Sequence, residues 1–224
     1  MEKKEIYNLV ILDKSGSMEN IRTQAVDGVN ETAAAIRKIQ EKTGMKQFLT
    51  VTAFCGCECK DLCHNVLIDF FRPVAPADYT PCCMTPLHDA IGRCCTRLEK
   101  EVADREDVAV SVTIITDGYE NASKEWSPAA IRQLIGRLKE KGWLFAYIGA
   151  NQDVEKVKCS MAIDNAMAFD ADAQGTKTMF TKACASRSRW AVKVKGCPSP
   201  SALKDINTGY FEDPLPEDLK KYGL

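Results

Sequence analysis

Two apolar runs in this chain each end in an aspartate, and hydroxyl side chains gather beside them. Asn8-Leu9-Val10-Ile11-Leu12 leads into Asp13, and Ser15 and Ser17 follow on either side of Gly16. Val108 to Ile115 leads into Thr116-Asp117-Gly118. A third segment, Thr85-Pro86, opens a helical pattern after a proline-rich stretch. Together Asp13, Ser15, Ser17, Thr85 and Asp117 offer carboxylates and neutral hydroxyls, all hard oxygen donors. Such donors suit Mg²⁺, Mn²⁺ or Ca²⁺ and not Zn²⁺. Each segment alone has a plainer reading. Asp and Ser shape turns, Thr85 reads as a helix N-cap, and Asp117-Gly118 reads as a turn. All of them together, at strand ends and helix starts, point to a cation site.

Periodicity supplies the elements that must hold these donors. Ile6 to Leu12 is apolar without clean alternation, as in a central strand covered on both faces. From Met18 to about Lys42, Ile21, Ala25, Val29, Ala33 and Ile36 recur at helical spacing, and Thr43-Gly44 ends that helix. Phe48 to Phe54 reads as a strand and Val66 to Phe70 as a shorter one. Their connection is too short for a helical crossover, so the second is expected to be an antiparallel edge. The helix opened by Thr85-Pro86 carries Leu87, Ile91, Cys94, Leu98 and Val102 on its apolar face. Ser127-Pro128 starts another helix, Trp143 to Ile148 is a strand, and Val154 to Met161 is a short helix. Ala166 to Phe169 is a short strand, and Ala173 to about Ser188 is the last helix.

This alternation predicts an α/β fold. A mostly parallel, Rossmann-like central sheet would have one antiparallel edge strand and helices on both faces. Ligands of such sheets bind beyond the carboxyl ends of the strands, where strand order reverses. If the Asp13 and Asp117 strands are neighbours there, their carboxylates converge. The length of 224 residues suits one domain, 1–190, followed by a C-terminal extension, 191–224, that packs or is partly irregular.

The motifs also carry a resemblance. Asp13-Lys14-Ser15-Gly16-Ser17 resembles the Asp-x-Ser-x-Ser motif of von Willebrand factor type A (vWA) domains. Met84-Thr85-Pro86-Leu87-His88-Asp89-Ala90-Ile91-Gly92 is similar to their threonine loop, and Ile115-Thr116-Asp117-Gly118 to their second aspartate. The likeness covers about the first four-fifths of the chain. It is nearest to stand-alone bacterial and phage members, in which Gly28-Val29-Asn30 and Glu120-Asn121-Ala122-Ser123 have counterparts. The resemblance implies a metal-ion-dependent adhesion site (MIDAS) with Asp13, Ser15, Ser17, Thr85 and Asp117 as the metal residues. Lys14, Gly16, Asp89 and Gly118 would lie around that shell or face a partner, with Lys14 pointing to solvent. The implied function is divalent-metal-dependent protein binding, in which a partner Asp or Glu carboxylate completes the coordination. A metal-dependent hydrolase is the enzymatic alternative, but no nucleophile or base motif accompanies the donors, so a non-enzymatic module is expected.

Thiols crowd the same region. Cys55, Cys57, Cys59 and Cys63 fall close together with His64 adjacent, and Cys82-Cys83 precede Thr85. One reading is a soft-metal site for Zn²⁺ or an Fe–S cluster, or a redox module. Cys-x-Cys-x-Cys-x₃-Cys matches no standard finger spacing and lacks a second paired half. That favours reduced thiols in a surface hairpin. Cys94 reads as a small core residue.

The bulk numbers narrow the field. A net charge of −1 leaves no global field for nucleic acid or anionic membrane. The Trp190, Lys193 and Lys195 patch is too small to change that. There is no long uncharged apolar run and no signal-peptide pattern at the start. A cytoplasmic protein is expected, where eleven cysteines do not form a disulfide framework.

Overall fold

The computed structural model describes residues 4–105, 107–150, 153–198 and 202–213. Its strands are β1 (Glu5–Asp13), β2 (Lys46–Phe54), β3 (Cys59–Leu67), β4 (Val108–Thr116), β5 (Leu144–Ala150) and β6 (Asn165–Phe169). Its helices are α1 (Arg22–Thr43), α2 (Leu87–Glu101), α3 (Pro128–Glu140), α4 (Val154–Met161), α5 (Ala173–Gly196) and α6 (Leu203–Ile206). The strands form one sheet in the order β3-β2-β1-β4-β5-β6. Every pairing is parallel except β2 with β3. The α/β sheet with one antiparallel edge is as expected.

Apolar residues at alternate positions send each central strand into two cores. Val10 and Leu12 of β1 join Met18, Val26, Val29 and Ile36 and the α5 residues Met179 and Phe180 on one face. Tyr7, Leu9 and Ile11 join Leu87, Ile91, Cys94 and Leu98 of α2 and Ile131, Leu134 and Ile135 of α3 on the other. This two-sided burial is why β1 reads as an unbroken apolar run rather than an alternating one.

The chain crosses from β1 to β2 on one side of the sheet and reaches β4 on the other side of β1. Strand order therefore reverses between β1 and β4, with Leu12 opposite Ile115. Asp13 ends β1, and Asp117 follows the last residue of β4. The two aspartates meet at the switch point that the sequence pattern placed them at.

Two boundaries differ from expectation. The edge strand begins at Cys59, not Val66, and residues 68–70 form a short 3₁₀ turn. Its alternating polar residues hid it, because an edge strand needs only one buried face. Asp61 is what anchors it: its oxygens accept from Arg97 Nη1 at 2.7 Å, Arg97 Nη2 at 2.8 Å and Thr52 Oγ1 at 2.6 Å. Helix α5 runs to Gly196, past Ser188, and is followed by the short α6, so it is not the last helix. Trp190, Ala191 and Val194 continue its buried stripe against Ile6, Ile39, Leu203 and Tyr210. Trp190 is thus a core residue whose Nε1 donates to Asn207 Oδ1 at 2.8 Å, not part of a surface basic patch. Among the described residues, no helix is long and apolar enough to cross a membrane.

Close packing of α1 on α5 depends on Gly28. A Cβ there would lie 2.1 Å from Phe180 ring carbons, whereas one at Gly136 of α3 would meet nothing within 4 Å. Gly28→Ala is therefore expected to lower stability by about 1–3 kcal/mol through overpacking. Gly136→Ala should raise it by up to about 1 kcal/mol through helix propensity. Urea midpoints at unchanged slope measure both, and equal effects at the two positions would refute this account of the α1–α5 contact.

Candidate metal centre and the loops that build it

Four loops meet at the switch point. The first follows Asp13, where residues 16–21 form a 3₁₀ turn before α1. The Asp13 carboxylate is fully buried and accepts from Ser15 N at 2.7 Å and from the Thr116 hydroxyl. Ser15 Oγ lies 3.2 Å from Ser17 Oγ, and Ser17 Oγ donates to Asp117 Oδ1 at 2.6 Å. Gly118 brings in the remaining donor. A Cβ on it would lie 2.8 Å from Thr85 Oγ1 and 3.5 Å from Asp13 Oδ2, so only glycine leaves this space to the oxygens. All five oxygen-bearing residues named from the sequence are therefore neighbours.

The proline-rich loop delivers Thr85. Asn30 of α1 holds the loop by a reciprocal pair: Asn30 Nδ2 donates to Val74 O at 3.0 Å, and Val74 N donates to Asn30 Oδ1 at 2.8 Å. Tyr79 is buried, and its hydroxyl donates to the Asp13 carbonyl. Thr85 itself is not the N-cap expected for it. Helix α2 starts at Leu87 with Pro86 at the cap position. The helix's first N–H groups are satisfied from the loop after β4 instead: His88 N donates to Glu120 Oε2 at 2.8 Å, and Asp89 N to Ser123 Oγ at 3.1 Å. The Thr85 hydroxyl is left facing the aspartates.

That exchange is reciprocal. The Asp89 carboxylate accepts from Lys124, Glu125 and Trp126 N–H groups, each at 2.9 Å. Thr85 N donates to Asn121 Oδ1 at 2.8 Å, and Asn121 N to Thr85 O at 3.2 Å. Asp89 therefore orients the loop that carries Asp117. Burial would raise the Asp89 carboxyl, yet these N–H groups hold it below the usual carboxylate range. Glu120 is likewise lowered against its burial by His88 N, Ser123 N and O–H, and Ala122 N. His88 is buried beside Glu120.

Lys14 departs from the expectation that it faces solvent. It is buried and paired with Glu58 of the β2–β3 turn. Its backbone explains why: Lys14 N donates to Phe54 O at 2.7 Å, which carries the β1–β2 pairing one residue further and turns the side chain toward that turn. Gly16 is exposed, and its N–H donates to Cys83 O at 3.1 Å.

The thiols divide. Cys59 and Cys63 lie on β3, where Cys59 faces the Cys94 thiol and burial pushes Cys63 up to about 11. His64 pairs with Glu101 at 3.0 Å and Asp61 at 3.6 Å. These three leave the group read from the sequence. Cys55, Cys57, Cys82 and Cys83 stay together beside Thr85, with Cys55 Sγ 3.4 Å from Cys82 Sγ and Cys57 Sγ 2.8 Å from Cys83 Sγ.

Comparison with known proteins places the architecture. No protein-family model and no curated protein matches the chain. Solved structures do. A pilus adhesin from Lactobacillus rhamnosus GG superposes at a TM-score of 0.63 with 12% identity, over 84% of this chain and 31% of that one. The SpRpn10 VWA domain gives 0.55 with 10% identity, over 80% and 94%. Manganese-loaded Plasmodium vivax TRAP protein gives 0.51 with 15% identity, over 79% and 72%. The chain has a vWA-like α/β fold. It spans less than half the length of several of these proteins, 46% for a mussel byssus matrix protein.

The donor set of this vWA-like fold fits a hard divalent cation. Burial raises Asp13 to about 6 and also raises Asp117. Among the described residues neither carboxylate has an ion-pair partner. Two carboxylates lifted by desolvation with no cation beside them favour uptake of one. Sequence reading gave no role to Thr116, Tyr79, Glu120 or Asn121. Thr116 and Glu120-Asn121 lay inside quoted motifs, whereas nothing local marked Tyr79.

The raised Asp13 sets a pH signature. Its folded form holds the proton more tightly than the unfolded chain, so its contribution to stability is full below about pH 4 and is lost as pH rises through about 6. Asp117 acts in the same direction. In EDTA at pH 7.5, Asp13→Asn is expected to gain about 3 kcal/mol relative to the parent, from a carboxyl raised by about two pH units at 1.36 kcal/mol each. The gain should vanish at pH 4. Thermal melts at both pH values test this, and a variant less stable at pH 7.5 would contradict it.

Proposed function

We propose that this domain binds a protein partner through a divalent cation held by Asp13, Ser15, Ser17, Thr85 and Asp117, with Mg²⁺ as the first choice and Mn²⁺ or Ca²⁺ as alternatives. A partner Asp or Glu carboxylate completes the coordination. When bound, the cation supplies a Lewis-acidic point of attachment for that carboxylate. The protein's own residues do the rest. Thr116 and Ser15 N hold the Asp13 carboxylate in one orientation. Glu120, Ser123, Asn121 and Asp89 hold the Thr85 and Asp117 loops against each other.

The observation that carries this reading is the rim of the donor cluster. Three large apolar side chains are well exposed among the described residues, and two of them flank the donors: Met84 at 54% and Tyr119 at 58%. Met84 precedes Thr85, and Tyr119 follows Asp117 by two residues. Methionine and tyrosine are enriched in protein interfaces, where such side chains often carry much of the binding energy. The likeness to a pilus adhesin and a manganese-loaded protein supports the same reading. The cysteine content fits a reducing, cytoplasmic setting, and the charge balance fits no nucleic-acid or membrane partner.

Pull-down with the whole chain, read by mass spectrometry, tests it. A partner is expected to be retained in Mg²⁺ and lost in EDTA. Asp117→Asn should weaken retention at least about tenfold, the equivalent of 1.4 kcal/mol. Tyr119→Ala should weaken it without changing metal uptake. Retention that ignores both EDTA and Asp117→Asn would refute the proposal.

A further inference from the structure

A second donor group, of opposite chemical character, stands beside the oxygen cluster. The tight turn between β2 and β3 carries Cys55 and Cys57, and the loop before Thr85 carries Cys82 and Cys83. Backbone bonds fix both segments. Gly56 N donates to Met84 O at 2.8 Å, Cys55 N donates to Glu58 O at 2.8 Å, and Cys82 N donates to Lys14 O at 2.9 Å. The approach is close enough that a Cβ on Gly56 would lie 3.3 Å from Met84 N.

The sulfur atoms of Cys57, Cys82 and Cys83 all lie within 4.8 Å of one another. Cys55 Sγ lies outside that group of three but 3.4 Å from Cys82 Sγ. Zinc–sulfur bonds of about 2.3 Å in a tetrahedron space the sulfurs by about 3.8 Å. The shortest contacts, 2.8 Å for Cys57–Cys83 and 3.4 Å for Cys55–Cys82, are shorter than that spacing, while Cys57, Cys82 and Cys83 gather as a three-sulfur group that a single disulfide does not require. Backbone geometry points the same way. Cys83 has φ +62°, a left-handed conformation that side chains other than Gly and Asn rarely adopt. Such a conformation persists where surroundings impose it, and it concentrates at ligand sites. Here it turns the Cys83 carbonyl to Gly16 N while its thiol faces Cys57.

We propose that Cys57, Cys82 and Cys83, with Cys55 as the fourth ligand, form a thiolate site for a soft divalent cation of the zinc class. Each thiol releases its proton to solvent as its sulfur takes the metal. The bound cation ties the β2–β3 turn to the loop that delivers Thr85. Sequence spacing conceals the site because its halves are not finger-like: one is Cys-x-Cys in a turn, the other a Cys-Cys pair on a different loop. The proposal does not rest on carboxylate binding at the oxygen cluster.

Co²⁺ and Cd²⁺ titration of the whole chain, reduced and stripped of metal, tests it. One equivalent should produce sulfur-to-metal charge-transfer absorption that a large excess of Mg²⁺ leaves unchanged. The band should persist in Asp13→Asn and Cys159→Ser and disappear in the Cys57→Ser/Cys83→Ser double variant. Should that variant fail to fold, alkylation of the unmutated chain decides. Cd²⁺ should slow modification of Cys57 and Cys83 at least about tenfold, while exposed Cys159 reacts as before. Absence of a thiolate band would overturn the proposal. So would unprotected Cys57 and Cys83, or Cys55–Cys82 and Cys57–Cys83 disulfides formed in place of metal uptake.

Discussion

Asp13 ends a central strand with its carboxylate shut off from water. An isolated buried carboxylate is strongly unfavourable, and proteins relieve it with hydrogen bonds, protonation or a cation. Ser15 N and the Thr116 hydroxyl supply two hydrogen bonds, and those partners constrain the rest. Ser15 N can reach the carboxylate only if the chain bends at once after the strand. Thr116 can reach it only if β4 lies beside β1 in the observed register. A one-residue slip between those strands would move Thr116 to the opposite face and leave the carboxylate with a single donor. The strand pairing at the switch point and the chemistry of the site are therefore one requirement.

The Thr85 and Asp117 loops show how irregular backbone can be held without regular structure. Helix α2 begins without a side-chain cap of its own, and the loop after β4 supplies one through Glu120 and Ser123. The helix reciprocates through Asp89, whose carboxylate takes three N–H groups of that loop. Charge-assisted bonds of this kind are worth more than neutral ones, and here they cross between two loops rather than staying within one. These bonds tie the Thr85 and Asp117 loops to each other. That coupling places the donors as a set.

Legibility in the sequence followed burial. Strands β1, β4 and β5 are covered on both faces, so their apolar runs announced them, and the aspartates at two strand ends announced the site. Strand β3 is covered on one face and studded with Cys59, Asp61 and Cys63, which left no apolar run to read. The end of α5 was hidden because basic residues interleave its buried stripe. Even Arg187 is buried there, donating to Thr113 Oγ1 at 2.8 Å. Lys14 escaped for a related reason: a lysine within a motif reads as solvated, and only the extended β1–β2 pairing turns it toward Glu58. Tyr79 was invisible because a single aromatic in a proline-rich loop has no period to betray what it packs on.

Hard and soft donors share loops here without sharing a centre. Cys83 and Thr85 are separated only by Met84, yet the thiols turn toward the β2–β3 turn and the Thr85 hydroxyl turns toward the aspartates. Alternation along an extended segment would send residues 83 and 85 to the same side. The left-handed φ at Cys83 breaks that alternation. One residue of left-handed backbone thus separates the thiols from the oxygen donors. The separation also respects cation preference: thiolates select a soft ion and neutral hydroxyls with carboxylates a hard one. Because Gly16 N is bonded to Cys83 O, the same residue touches the turn that carries Ser15 and Ser17. Cys83 therefore touches the turn that carries two of the oxygen donors and stands two residues before a third, Thr85.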